Sequence, residues 1–337
     1  MSVILSRLSR EIVGLLLGAT FIFLFFFVDF VNLDHLRSII PKSWLNVNTI
    51  FISIFLEAIP FVLVGIFISA FIQTFISEDT LKKIIPKHAL LAIIPAMLIG
   101  IIFPVCECAI VPIVRRLIKK GMPLHIGMVM LVSVPIINPI VFASTYYAFQ
   151  SSLHMVYYRV GLGAVAAVLI GLIVYFVYGN SDVLRQSKKH EHHVASQPSV
   201  SRLRETLYHA SDEFFDTGKF LLIGALLASL FQTFFDRNWL AGVASHAMLS
   251  PFVMMGFGYI LSICSEADAF IAASLSHTFS SSSLLAFLVF GPMIDFKNTL
   301  MLFAYFNKRF VIGFICIVVI VVYIVVMSGP ILLAVIR

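Results

Sequence analysis

Apolar residues along this 337-residue chain gather into long runs, and short polar clusters, mostly basic, separate them. "IVGLLLGATFIFLFFFV" near the start, "EAIPFVLVGIFISAFIQTF" from Glu57 and "VIGFICIVVIVVYIVV" from Val311 are of this kind. A helix crossing the hydrocarbon of a bilayer needs about 20 such residues. The pattern therefore predicts an all-α polytopic membrane protein. Arg7 and Arg10 precede the first run, and no small-residue cleavage site follows between Asp29 and Leu36. We read that run as a retained helix with its N-terminus in the cytoplasm.

The polar spacers orient the rest. "SEDTLKKIIPK" (77–87), "RRLIKKG" (115–121), "GNSDVLRQSKKHEHHVASQPSVSR" (179–202) and "FNKRF" (306–310) are basic and are expected inside. "SLSHTFSSSS" (274–283) has no Lys or Arg and is expected outside. The segment 89–114 thus begins and ends on the cytoplasmic side. A segment that returns to its own side has to turn, and Pro104 and Pro112 mark the place, because proline removes a helix donor and clashes with the preceding turn. We expect a re-entrant hairpin with its tip at "FPVCECAIVP" (103–112). Irregular backbone at that depth needs protein or a watery cavity around it.

The pattern occurs twice. Glu57, Gly65 and Gln73-Thr74-Phe75 match Asp216, Gly224 and Gln232-Thr233-Phe234. At nearly the same offset Cys106 falls on Cys264, and Pro135 and Asn138 of "VPIINPI" fall on Pro292 and Asp295 of "FGPMIDF". The expected organisation is an N-terminal helix and external loop (1–48), repeat 1 (49–178), a cytoplasmic loop (179–209) and repeat 2 (210–337). Each repeat has three crossings and a re-entrant broken hairpin, the second over 248–280. Three is odd, so repeat 2 is inverted relative to repeat 1, the plan of many secondary transporters. The competing arrangement, in which each motif segment crosses fully, would place the Arg115–Lys120 cluster outside.

Composition agrees with a multi-pass protein of the cytoplasmic (inner) membrane. Hydrophobic residues make up 60% of the chain and charged ones 12%, against roughly 25% charged in soluble domains. The net charge of +6 lies in the short clusters, a membrane-topology pattern rather than a nucleic-acid face. The lipid bilayer is the surrounding partner. His190, His192 and His193 in the loop have no recurring ligand spacing and read as solvated residues.

Only the chemistry at the two tips stands apart from packing. Cys106, Glu107 and Cys108 form one tip, and "SICSEADAF" supplies Cys264, Glu266 and Asp268 at the other. In extended chain, residues two apart point the same way, so an unwound tip would let Cys106 and Cys108 hold one atom. Thiolates select soft ions, which makes Cys106, Cys108 and Cys264 candidate ligands of a transported soft metal or trivalent metalloid. Intramembrane carboxylates are costly and point to function. Asn138 and Asp295, each three residues after a proline, either line the same pocket or cap a kinked helix. Glu57 and Asp216, matched acids near helix starts, either serve the site or are there because the dipole alone favours an acid at a helix N-terminus. Cys316 reads as a small core hydrophobe, and Met122, Met128 and Met130 as flexible filler.

"FPVCECAIVPIVRRLIKKGMP", "PIINPIVFASTYYAF" and "CSEADAF" together resemble the bacterial predicted-permease family, including its UPF0718 members and the organoarsenical efflux permeases. The resemblance covers nearly the whole chain after the first helix. It implies membrane transport, in the arsenical branch extrusion of trivalent organoarsenicals through cysteine ligation, with that thiol role falling on Cys106 and Cys108. It also implies a small accessory membrane subunit for some members.

No GxxxxGK[ST] occurs, so energy would come from an ion gradient or a partner. The expectation is a permease of the secondary-transporter kind, not an enzyme, moving a small thiophilic substrate outward without a cofactor. A membrane thiol oxidoreductase is the alternative, weakened by C-x-C spacing in place of C-x-x-C. A permease subunit for an organic or sulfur-containing solute is a further one. Homo-oligomerisation is left open.

Overall fold

The computed structural model describes residues 41–75, 92–102, 106–150, 152–179, 183–184, 202–234, 242, 244 and 246–336. The expected N-terminal helix, the basic stretch 77–87 and the three loop histidines lie outside them. The chain forms two compact units, Met1–Asn48 and Thr49–Arg337. Of the first, only the opening turns of one helix are described. The second holds the rest of that helix and every other described element.

All regular structure among the described residues is helical, apart from one isolated bridge between Leu184 and Phe306. The helices are α1 (Lys42–Phe75), α2 (Ile93–Ile102), α3 (Glu107–Lys119), α4 (Leu124–Ser133), α5 (Pro139–Ala148) and α6 (Leu153–Tyr178). After the loop come α7 (Arg202–Phe234), α8 (Leu249–Leu261), α9 (Asp268–Ser274), α10 (Ser281–Met293), α11 (Phe296–Tyr305) and α12 (Lys308–Ile336). The order is the same in both halves: a long helix, two pairs of short helices, then a long helix. Four stretches among the described residues, Lys42–Ile72, Leu153–Tyr178, Ser281–Tyr305 and Lys308–Gly329, are long and apolar enough to cross a membrane.

The long helices are as apolar outside as inside. On α1, Ala58, Val62, Ile66 and Ala70 form a buried stripe at four-residue spacing, while Val64, Phe67 and Phe71 are exposed. In water such a helix would show a polar outer face, and an apolar one is what lipid requires. On α6 the inner face carries small residues. A side chain at Gly163 would collide with Ile136 and one at Gly171 with Val129. Close backbone approach through small residues is the usual way helices associate where no water drives them together.

Specific contacts fix the direction of the short helices. Gly100 of α2 abuts Val134 and Ile137 at the end of α4, while Gly127 near the start of α4 abuts Val114 and Ile118 of α3. So α2 runs alongside α4 in the same direction and α3 in the opposite one. In the second half Ser250 and Ser283 share a hydrogen bond of 2.8 Å, and Gly258 abuts Phe287, so α8 likewise runs with α10. Lys120 Nζ donates to the Ile72 carbonyl at 2.9 Å, and the Arg115 guanidinium lies 4.1 Å over the Tyr305 ring. The C-terminal ends of α1, α3 and α11 therefore come together. Across the halves the packing is reciprocal: α3 on α11 and α9 on α5, α4 on α10, and α6 on α12.

Two local expectations change. The helix resumes at Glu107 and continues through Pro112, so the break is shorter than 104–112. Pro112 deprives only the Cys108 carbonyl of its helical amide, a loss that packed membrane helices tolerate. Cys316 is exposed on α12 rather than in the core. Apolarity cannot tell inside from outside where the surroundings are apolar too.

Candidate functional site

Cys106 is the N-cap of α3, with extended backbone (φ −73°, ψ 169°), and Glu107 and Cys108 open the first helical turn. The tip is thus unwound at Cys106 but not at Cys108. The two thiols still lie within hydrogen-bonding reach of each other. A thiol is a poor cap, and Cys106 makes no side-chain capping bond. The acid at the first position suits the positive end of the helix dipole. Cys106, Glu107 and Cys108 are all buried.

The second break spans 262–267 and begins with Ser262, the sole non-glycine residue with positive φ among the described residues (φ 49°, ψ 44°). That left-handed turn, uncommon for a side chain other than Asn or Asp, ends α8 and aims Ser262 Oγ at the start of α11. There it accepts from the amides of Phe296 and Lys297 at 3.0 and 3.3 Å. Asp295 Oδ1 accepts from the Asn298 amide at 2.7 Å. Three amides that a helix start leaves unbonded are thereby satisfied, two by a residue from a different helix pair. Asn138 plays the matching role in the first half, its Oδ1 accepting from the Ile140 amide at 2.9 Å, with Pro139 at the first helical position. Both residues therefore cap broken helices, one of the two roles their spacing allowed, and both are buried.

Around the first tip the halves meet. Ser265 Oγ donates to Glu107 Oε2 over 3.5 Å. Lys297 Nζ stands 3.9 Å from Glu107 Oε1 and 3.4 Å from Asp295 Oδ2. No hydrogen-bond partner among the described residues reaches Glu107 Oε1, Asp295 Oδ2 or Asn298 Oδ1. Cys264 is buried and lies within electrostatic range of Cys106, Glu107, Cys108 and Lys297. Glu57 and Asp216 lie well inside α1 and α7 rather than near helix starts as expected, so the helix dipole does not account for them; Glu57 is exposed and within electrostatic range of Cys108, Cys264 and Glu266. Asp216, its match in the second half, has no described side chain. Among the described residues no group of three or more His, Cys, Asp or Glu side chains is arranged to hold a metal ion.

A second polar cluster lies beside the first. Arg159, on α6 and fully buried, donates to both oxygens of Asp268 at 2.9 Å, to the Ser265 carbonyl at 3.0 Å and to Thr145 Oγ1 at 2.7 Å. Ser265 joins the clusters, its carbonyl to Arg159 and its hydroxyl to Glu107. Of the acids expected at the second tip, Asp268 is committed to Arg159, and Glu266 is half-buried in the turn before it.

Cys106, Glu107, Cys108, Cys264 and Asp295 are all buried and electrostatically linked to one another; Asp268 is paired with Arg159, Glu266 is within electrostatic range of Arg159 and Lys297, and Asn138 is buried at the start of α5. Sequence reasoning missed Lys297, Arg159 and Ser265. Lys297 follows Asp295 by two, and a cation that close to a flagged acid inside an apolar run was the available signal.

No solved structure matches the chain. UPF0718 protein YcgR of Bacillus subtilis (strain 168) is 46% identical over 281 residues, which is 83% of this chain and 96% of the relative. A Streptococcus mutans protein named "Putative two-component membrane permease complex subunit" is 36% identical over 278 residues, 82% of this chain and 92% of that one. The family ArsP_1, described as predicted permease, matches residues 43–328. With that match running from α1 to α12, the chain belongs to this family of predicted permeases.

Proposed function

We propose that this protein is a permease of the secondary-transporter kind that moves a small thiophilic solute, a trivalent metalloid, organoarsenical or soft metal ion, outward across the cytoplasmic membrane. One observation carries the reading. Three buried thiols, Cys106, Cys108 and Cys264, come from breaks in both halves of an apolar helical bundle and gather around Glu107, Asp295 and Lys297. Soft ligands in a membrane interior fit a soft cargo. Asn138, Glu266 and Asp268 would serve at the margin of the substrate path.

The architecture suits alternating access. The parallel course of α2 with α4 and of α8 with α10, and the reciprocal packing between halves, support two inverted repeats whose re-entrant pairs meet at mid-membrane. On this plan 115–120 and 179–209 face the cytoplasm, and 276–283 and the C-terminus face outward. The name of the Streptococcus mutans relative supports an accessory membrane subunit here as well.

The test is efflux of phenylarsonous acid and of Cd²⁺ from cells lacking their own exporters. Wild-type protein should lower accumulation of at least one, and Cys106→Ser and Cys108→Ser at matched expression should not. Normal efflux by both variants would remove the thiol-ligand role and leave a hard or organic substrate held by Glu107, Glu266 and Asn138.

A further inference from the structure

Midway along α1 the chain carries an acid that lipid cannot accommodate. Glu57 is exposed, and so is Ser53 one turn before it. Pro60 follows within the helix and, having no amide hydrogen, leaves the Leu56 carbonyl without its helical donor. A hydroxyl, a carboxylate and a free carbonyl thus share one stretch of a helix whose later turns expose Val64, Phe67 and Phe71. Hydrocarbon satisfies none of the three polar groups, and water satisfies all of them.

Contacts along α1 place this stretch relative to the pocket. Gly65 abuts Ala109, and Lys120 Nζ donates to the Ile72 carbonyl, so α1 and α3 run side by side in one direction. Ala109 lies in the first turn of α3, whereas Glu57 is about 12 Å before Gly65 along the α1 axis. Glu57 therefore stands beyond the first tip, on the side away from Lys120. Cys108 and Cys264, one from each break, are within its electrostatic range, and so is the half-buried Glu266. Toward Lys120 the interior is dry. Between Ala58 and Ile72 the one polar side chain of α1 is Ser69, which is buried, and Ala109 to Val114 of α3 are apolar and buried.

We propose that Glu57 and Glu266 line a water-filled mouth that opens the pocket to the membrane side opposite Lys120, and that their charge admits cations and protons in preference to anions. The inference rests on the permease reading above but not on what is carried. A path that reaches groups of both breaks from one side and is dry on the other is one half of an alternating-access cycle. Two acids at a narrow opening with apolar walls focus their field into it.

The test uses the full chain in its membrane. Intact cells and inverted vesicles carrying Glu57→Cys are treated with two impermeant methanethiosulfonates, one bearing a trimethylammonium group and one a sulfonate, and adducts are located by peptide mass spectrometry. Cys316, exposed on α12, is the lipid-facing reference in the same chain. Glu57→Cys should react about tenfold faster than Cys316 or more, because the charged reagent and the reactive thiolate both need water. It should do so from the side opposite to a marker at the exposed Lys119, Lys119→Cys. Should Glu57→Cys fail to fold, Ser53→Cys carries the test. It also keeps both acids, so there the cationic reagent should outpace the anionic one about tenfold relative to a simple thiol, and Glu57→Gln or Glu266→Gln should cut that preference about threefold. A probe as slow as Cys316, modification from the Lys119 side, or a reagent preference indifferent to both acids overturns the proposal. Absence of efflux of either solute tested above would sink the permease reading and leave these labelling results standing.

Discussion

Cys106 and Cys264 stand at matching breaks, yet the chain after each behaves differently. After Cys106 the helix starts at once, so Glu107 and Cys108 face the centre from a first helical turn. After Cys264 three turn residues intervene, and Ser265 takes the place of Glu107. The acids differ in kind as well. Both oxygens of Asp268 accept from Arg159 at 2.9 Å, whereas Glu107 Oε1 has no hydrogen-bond donor among the described residues and Oε2 only a 3.5 Å contact. The second break is pinned by an ion pair, and the carboxylate of the first is bonded only weakly. Burying an acid fully paired serves the fold; burying one half-paired costs stability and is tolerated where chemistry needs it.

The largest effect should follow from breaking the pin. Arg159→Met leaves Asp268 without its partner in the interior, which costs about 3–5 kcal/mol where one partner of a buried pair is removed. Folded yield and thermal stability in detergent should drop sharply, and Arg159→Met/Asp268→Leu should recover much of both. A stable Arg159→Met single variant would mean that the two breaks are not different in kind.

Next come the thiols and the acid of the first break. Cys106→Ser and Cys108→Ser should lose thiophilic binding and transport while keeping wild-type thermal stability, because serine nearly preserves size but is a poor soft ligand. Glu107→Gln should slow turnover more than it weakens binding, since it keeps the shape and removes the titratable proton beside Lys297. Equal losses of stability in all three would make the first break as structural as the second.

How much of this was legible in the sequence depends on how local each signal is. The breaks were, because proline and an apolar run interrupted by C-E-C act within a few residues. The landmarks behind the doubled reading recur at one offset, and the helices follow one order in both halves. Lys297 and Arg159 were not. Arg159 pairs with Asp268, 109 residues away, and no local pattern announces a pair of that span, while Lys297 had a local signal in Asp295 two residues before it, but its second carboxylate, Glu107, lies in the other half. Arg159 in "MVYYRVG" looks like any basic residue flanking a membrane helix. The extent of unwinding was misread because Pro112 lies inside α3, where one lost amide bond is outweighed by packing on α4 and α11. The inward or outward aspect of Cys316 was illegible for the reason that holds for every lipid-facing position.

Smaller effects should come from the caps, where the halves are most alike. Asn138→Ala and Asp295→Ala each remove a side-chain acceptor from a helix start, worth about 1 kcal/mol. Asp295→Ala also takes a carboxylate from beside Lys297, so it should alter transport as well as stability, while Asn138→Ala should alter stability first. Thermal melts beside efflux measurements separate the two. Matching transport losses would mean that Asn138, like Asp295, acts on transport beyond its role as a cap.

Cys316 gives the smallest expected effect and the sharpest control on the comparison. It is the one exposed cysteine, on the outer face of α12, whereas Cys106, Cys108 and Cys264 are buried. Cys316→Ser places a hydroxyl against lipid, where it can bond back to the carbonyl four residues earlier within the helix. Surface substitutions of this size usually stay within about 0.5 kcal/mol. Thermal stability and efflux should therefore match wild type. A membrane-permeant maleimide should label Cys316 in the folded protein, and the other three should react only after unfolding. Loss of thiophilic transport in Cys316→Ser comparable to that in Cys106→Ser would mean that the response to soft ions follows thiol content rather than the central pocket. The contrast between a pinned break and a weakly bonded one would then say nothing about what the protein carries.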